Sequence, residues 1–157
     1  MAAGVTIAKE NLGAFRAFLE ERLQDAVSRA RLDQALLIDA ALTAGGARKE
    51  VVESIEVAGP FGSANPEPVF AFPNHRLIDV AEVGTGHLRF RARAGDGATI
   101  SGIAFRAIGE PLGKGLLNNR GEPVHLAGYL TIDRWGNGER IQLRLIDAAK
   151  PGQTQRR

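Results

Sequence analysis

The sequence predicts an α+β chain: a helical N-terminal segment followed by a small five-stranded β-barrel. Two observations carry this. Apolar residues recur every three or four positions before about residue 58 and at alternate positions after about residue 75, which is helical spacing giving way to strand spacing. The composition shifts in the same region: all 7 prolines and 15 of the 19 glycines lie in residues 59–157. That part carries 13 Lys/Arg against 9 Asp/Glu, whereas residues 1–58 carry 7 against 9. The expected organisation is therefore a helical part over 1–58, a barrel over 59–150 and a tail over 151–157.

The elements follow in order. From Lys9 to Ala30, residues Leu12, Phe15, Phe18, Leu19, Leu23, Ala26 and Val27 form one apolar stripe of an amphipathic helix, with Thr6 or Asn11 as its cap. Leu36–Leu42 (LLIDAAL) reads as a short strand, with a helical continuation as the alternative, and Gly45-Gly46 ends it either way. Ala47–Val57 returns to helical spacing and must stop before Pro60. The stretch GPFGSANPEPVF, 59–70, is too rich in proline for helix or central strand and too apolar for an idle linker. It reads as a stiff elbow, pinned to the barrel by Phe61, Val69 and Phe70. Candidate strands are His75–Val83, His87–Ala94, Thr99–Arg106, Val124–Asp133 and Arg140–Asp147. Gly-rich turns separate the first three and the last two, and Gly109–Gly121 holds enough leucine for a short helix. Three strands, a helix and two strands is the element order of an OB fold, which commonly binds single-stranded nucleic acid or oligosaccharide across its second and third strands.

Several function classes drop out. Cysteine is absent, which removes disulfides and thiolate metal sites and fits a cytoplasmic home. No run of 18 apolar residues and no secretory signal pattern is present. There is no Walker loop, no dinucleotide-binding glycine motif and no nucleophile elbow, and His75, His87 and His125 are scattered. No catalytic residue and no metal ligand is assigned.

The informative strand is HLRFRARA, 87–94. Alternation places His87, Arg89, Arg91 and Arg93 on one face and Leu88, Phe90, Ala92 and Ala94 on the other. The arginines then stand about 7 Å apart, a pitch that suits an extended phosphate backbone. The competing reading is a solvated face of cross-strand ion pairs, although few carboxylates lie near in sequence. The loop DRWGNGER, 133–140, adds Arg134, Arg140 and the single tryptophan, Trp135, either as a stacking platform or as a lid on the barrel end. Arg144 and Gln142 are expected to face outward on the last strand, and Arg106 to end the third. Strand phase groups Tyr129 with His125 and Thr131. The candidate DNA-binding set is thus His87, Arg89, Arg91, Arg93, Arg106, Arg134, Trp135, Arg140 and Arg144.

The elbow closely resembles the G-P-F-G-x-G-N-P-E-P-x-F signature of the RecJ family, bacterial single-stranded-DNA-specific exonucleases. The resemblance continues through GHLRFRARAGDGATISGIAF (86–105) and LAGYLTIDRWGNGERIQLRLIDAA (126–149). The start, MAAGVTIAKENLGAFRAFL, is similar to the end of that family's DHHA1 region. Ala64 departs from the signature, standing where the family usually has glycine. The Asp-rich and Asp-His-His motifs that bind two metal ions in the family are absent from the chain. The resemblance therefore implies a C-terminal portion of such an enzyme: the end of DHHA1 and an OB domain, inactive alone. The parent would hydrolyse single-stranded DNA from the 5′ end with Mn²⁺ or Mg²⁺, in DNA repair and recombination. Single-stranded DNA is the implied partner. The acidic tail of single-stranded-DNA-binding protein is the alternative, docked on the same basic face.

Overall fold

The structure, a computed structural model, describes residues 4–32, 35–134 and 138–152. The chain forms two compact units, dividing between Leu36 and Leu37. The first holds a short 3₁₀ turn, Lys9–Asn11, and helix α1, Leu12–Leu32. Ala8 precedes the turn without a side-chain cap. The predicted apolar stripe is present but largely exposed: Leu12, Phe18, Leu23 and Val27 all stand open to solvent.

The second unit begins with a two-residue strand, β1 (Ala40–Ala41), where a seven-residue one was expected. It runs parallel to the start of strand β2 (Phe70–Val83), pairing Ala40 with Phe70 and Ala41 with Ala71. Asp39 extends the contact, its carboxylate accepting the Val69 N–H at 2.7 Å while its own N–H donates to Val69 O. Helix α2 (Lys49–Val57) turns Val52 into the barrel core. It thus packs with the barrel, and the compositional change near residue 58 falls inside this unit.

The elbow is a closed loop. After a cis Gly59–Pro60 peptide, Gly62 and Asn65 exchange backbone hydrogen bonds. The Asn65 side-chain amide donates to Ala58 O and Pro60 O at 3.0 and 3.2 Å. Ala64 does not adopt positive φ, so its departure from glycine brings no backbone strain. Val69 and Phe70 are buried as expected, and Phe61 is half-buried beside α2.

Strands β2, β3 (His87–Arg93), β4 (Thr99–Ala104), β6 (Arg140–Ala149) and β5 (Pro123–Asp133) hydrogen-bond in that order, and β5 returns to β2. The result is a closed five-stranded barrel, antiparallel except for the β4–β6 pair. Helix α3 (Pro111–Asn118) lies between β4 and β5 in sequence and buries Leu116. Strand β2 serves both neighbours, β5 through its first half and β3 through its second. It bends at irregularities between Phe72 and His75 and between Leu77 and Asp79. Pro73 sits in the first of these, so it is tolerated, and the strand starts five residues before the predicted His75.

The core fills by strand alternation. Phe72, Leu77, Val80, Leu88, Phe90 and Leu143 are at most 1% exposed. Phe90 occupies the space a side chain at Gly102 would take: a Cβ there would lie 2.1 Å from the Phe90 Cζ. All three histidines bind backbone. His75 is buried, accepting the Ala44 N–H at 3.1 Å through Nε2 and donating through Nδ1 to Pro73 O at 2.9 Å. His125 Nδ1 accepts from Asn74 N–H and His87 Nδ1 from Arg106 N–H. Asn74 and Arg106 are the non-glycine residues with positive φ among the described residues, at 55° and 51°. His125 and His87 thus each hold a strained turn in place.

Candidate nucleic-acid interface

The outer surface of β3 carries the predicted row. Arg89, Arg91 and Arg93 are exposed, and Leu88, Phe90 and Ala92 between them are buried, as strand alternation requires. Register extends the row across the sheet. Arg91 lies opposite Ser101 on β4, which pairs with Gln142 on β6, which pairs with Thr131 on β5. Arg89 leads in the same way through Ile103 and Arg144 to Tyr129. On the other flank Arg91 faces Asp79 of β2 and Arg93 faces Arg76. Among the described residues none of the three arginines makes an ion pair, Asp79 included. With no carboxylate holding them, their side chains are available to an anion.

The other predicted cations are placed differently. Arg144 is on the outer face of β6, but its guanidinium stacks over Tyr129 at 4.6 Å and pairs with Glu67 of the elbow at 2.5 Å. Tyr129 itself lies half-buried on the outer face with His125 and Thr131, as its phase predicted. Arg134 binds both carboxylate oxygens of Glu56 on α2 at 3.2 Å and reaches Glu139 at 3.7 Å. Lys49 of α2 also pairs with Glu139. The electrostatics follow: hydrogen bonding to Glu139 raises the Lys49 pKa, the same bond lowers that of Glu139, and Glu56 raises that of Arg134. Arg134 and Glu139 are therefore tied to α2 by a surface ion-pair network. Arg140 is exposed at the start of β6, opposite Asp133 in register. Trp135 lies outside the described residues.

At the opposite end of the row, His87 is half-buried with Nδ1 engaged by the Arg106 N–H at 2.9 Å. Arg106 does not end the third strand. It sits exposed in the left-handed turn that follows Ala104. Between them Phe105 is 53% exposed, with its ring edge-to-face against His87 at 5.1 Å. Sequence reasoning passed over Phe105, although strand phase through Ile103 and Ala104 turns it outward. It also passed over Glu67 and Glu56, whose partners are 77 and 78 residues away.

A closed barrel with this strand order, a parallel pairing of its third and fifth strands and a helix before the fourth defines an OB-fold protein, with the outer face of the second and third strands as its candidate binding surface. Comparison with known proteins narrows this further. The RecJ OB domain family matches residues 38–147, and the chain belongs to that family. The single-stranded-DNA-specific exonuclease RecJ of Bacillus subtilis strain 168 is 26% identical over 151 residues, covering 95% of this chain and 19% of that protein. The Escherichia coli K12 protein of the same name is 29% identical over 153 residues, covering 96% and 25%. The crystal structure of RecJ in complex with Mn²⁺ from Thermus thermophilus superposes with a TM-score of 0.62 at 22% identity, over 94% of this chain and 20% of that one, a likeness of fold. The chain thus spans a quarter or less of the length of these relatives.

Proposed function

We propose that this chain is the single-stranded-DNA-binding portion of a RecJ-type 5′–3′ exonuclease acting in DNA repair and recombination, with the β3–β4 face as the strand-binding surface. The observation that carries the reading is the row Arg89, Arg91 and Arg93: exposed, on one face, and without ion-pair partners among the described residues. Such a row neutralises phosphates without reading sequence, as a non-selective nuclease requires. Membership of the RecJ OB-domain family supports it. The same reading places Mn²⁺- or Mg²⁺-dependent hydrolysis in other parts of such an exonuclease and assigns none of these side chains to it.

Fluorescence anisotropy with a short oligothymidine across a salt series tests the proposal. Three phosphate contacts on a single strand contribute about 2 units to the slope of log K against log salt. The triple variant Arg89→Ala/Arg91→Ala/Arg93→Ala is expected to lose that slope while keeping its melting temperature within a few degrees. Salt-independent binding, or a triple variant that binds as the parent does, refutes it. An acidic peptide in the same titration tests the protein-docking alternative.

A further inference from the structure

We infer that Phe105 is a nucleobase-stacking platform at the β2–β3-turn end of the arginine row, giving the face a site for a base as well as sites for phosphates. The inference rests on the reading of that face as a strand-binding surface. A single exposed apolar side chain is ordinary on a protein surface. Three features separate this one from the ordinary case.

The first is contrast within the barrel. Phe70, Phe72 and Phe90 are buried, and Tyr129 lies beneath the Arg144 guanidinium. Phe105 is the aromatic ring left more than half exposed among the described residues of the barrel strands and their turns.

The second is rigidity. The Phe105 ring meets the His87 ring at 5.1 Å with an interplanar angle of 76°. His87 is itself fixed, because its Nδ1 accepts the N–H of Arg106, the residue next to Phe105. A second bond from Ile108 N–H to Gly86 O joins the same two chain segments. A ring held before the ligand arrives loses little rotamer freedom on binding.

The third is position. Leu88 pairs with Ala104, so Phe105 lies level with His87, the first residue of the row. Arg89 is the next outward residue along β3, about 7 Å on, and Arg93 lies about 20 Å from His87 at the usual strand rise. A base stacked on Phe105 therefore leaves its own strand free to run along Arg89, Arg91 and Arg93. Stacking tolerates any base, so the ligand class is an unpaired polynucleotide of any sequence, gripped by one base at this end.

The test is a double-mutant cycle between protein and ligand, using the full chain, an oligothymidine, and the same strand with abasic sites. Phe105→Leu keeps apolar bulk and removes the aromatic face. Its expected effect is a loss of about fivefold or more in affinity for oligothymidine, with no change in salt slope. On the abasic strand, parent and Phe105→Leu are expected to bind alike. Phe105→Trp is expected to match or exceed the parent on oligothymidine, which guards against a mere folding defect. Equal affinity of parent and Phe105→Leu for oligothymidine, with the salt slope intact, overturns the platform and leaves the proposed function standing. Loss of all salt-dependent binding by the parent chain removes the proposed function and this inference with it.

Discussion

Arg91 and Arg144 look alike in the sequence: each stands at an outward position of a barrel strand, flanked by apolar residues. Their surroundings differ. Arg91 faces Asp79 and Ser101 across neighbouring strands and makes no ion pair among the described residues. Arg144 is held between the Tyr129 ring and the Glu67 carboxylate. The elbow makes this difference, because Glu67 sits between Pro66 and Pro68 in a loop closed by Asn65. A guanidinium already paired has less to gain from a phosphate, so the unpaired β3 row carries the proposed contacts and the paired edge limits them. The outer face thus has a cationic side and a neutralised side.

Substitutions on the two sides test this contrast. The largest effect is expected on the inner side of β3. Phe90 stands between Arg89 and Arg91 in sequence, is 1% exposed and fills the space beside Gly102. Phe90→Ala should destabilise the fold by about 3–5 kcal/mol in denaturant unfolding, whereas the neighbouring arginines, being exposed, should matter to ligand and hardly to stability. A Phe90→Ala chain as stable as the parent would contradict the packing described above.

A smaller effect is expected at the elbow. Glu67→Gln frees Arg144, so oligonucleotide affinity at low salt should rise severalfold and the salt slope should steepen by about 0.7. The ion pair is partly exposed, so the cost in thermal stability should be slight. An unchanged slope would show that the paired side of the face lies outside the ligand's path.

The smallest effect concerns pH. The hydrogen bond from Lys49 lowers the Glu139 pKa below its ordinary carboxylate value. A depressed carboxylate pKa contributes stability above the unfolded-state value, and the contribution is lost as pH falls through the lower folded-state value. Both side chains stand at the surface, about half exposed, so the contribution should be small and should fade with added salt. In an NMR titration of the Glu139 carboxyl, Lys49→Met is expected to move the midpoint upward, toward the ordinary range. A midpoint that stays where it was would remove Lys49 as the cause.

The barrel and the arginine row were legible before folding was considered. Both follow from local rules: alternate residues fall on opposite faces of a strand, so HLRFRAR specifies a buried Leu-Phe-Ala edge and an exposed arginine edge wherever it is placed. Glycine turns, the change of spacing and the element order then suffice for an OB fold. The family motifs were readable because they are contiguous. Which cations are free became visible only in the folded chain. Glu67 meets Arg144 and Glu56 meets Arg134 across 77 and 78 residues, and no local pattern reports contacts of that range. The same holds for the packing of α2 with the barrel through Val52, and for Pro73, which lies at a bend inside a strand that was expected to start only at His75. The physical reason is common to all of these. Alternation is a property of one strand, whereas neutralisation and packing depend on what the closed barrel brings alongside it.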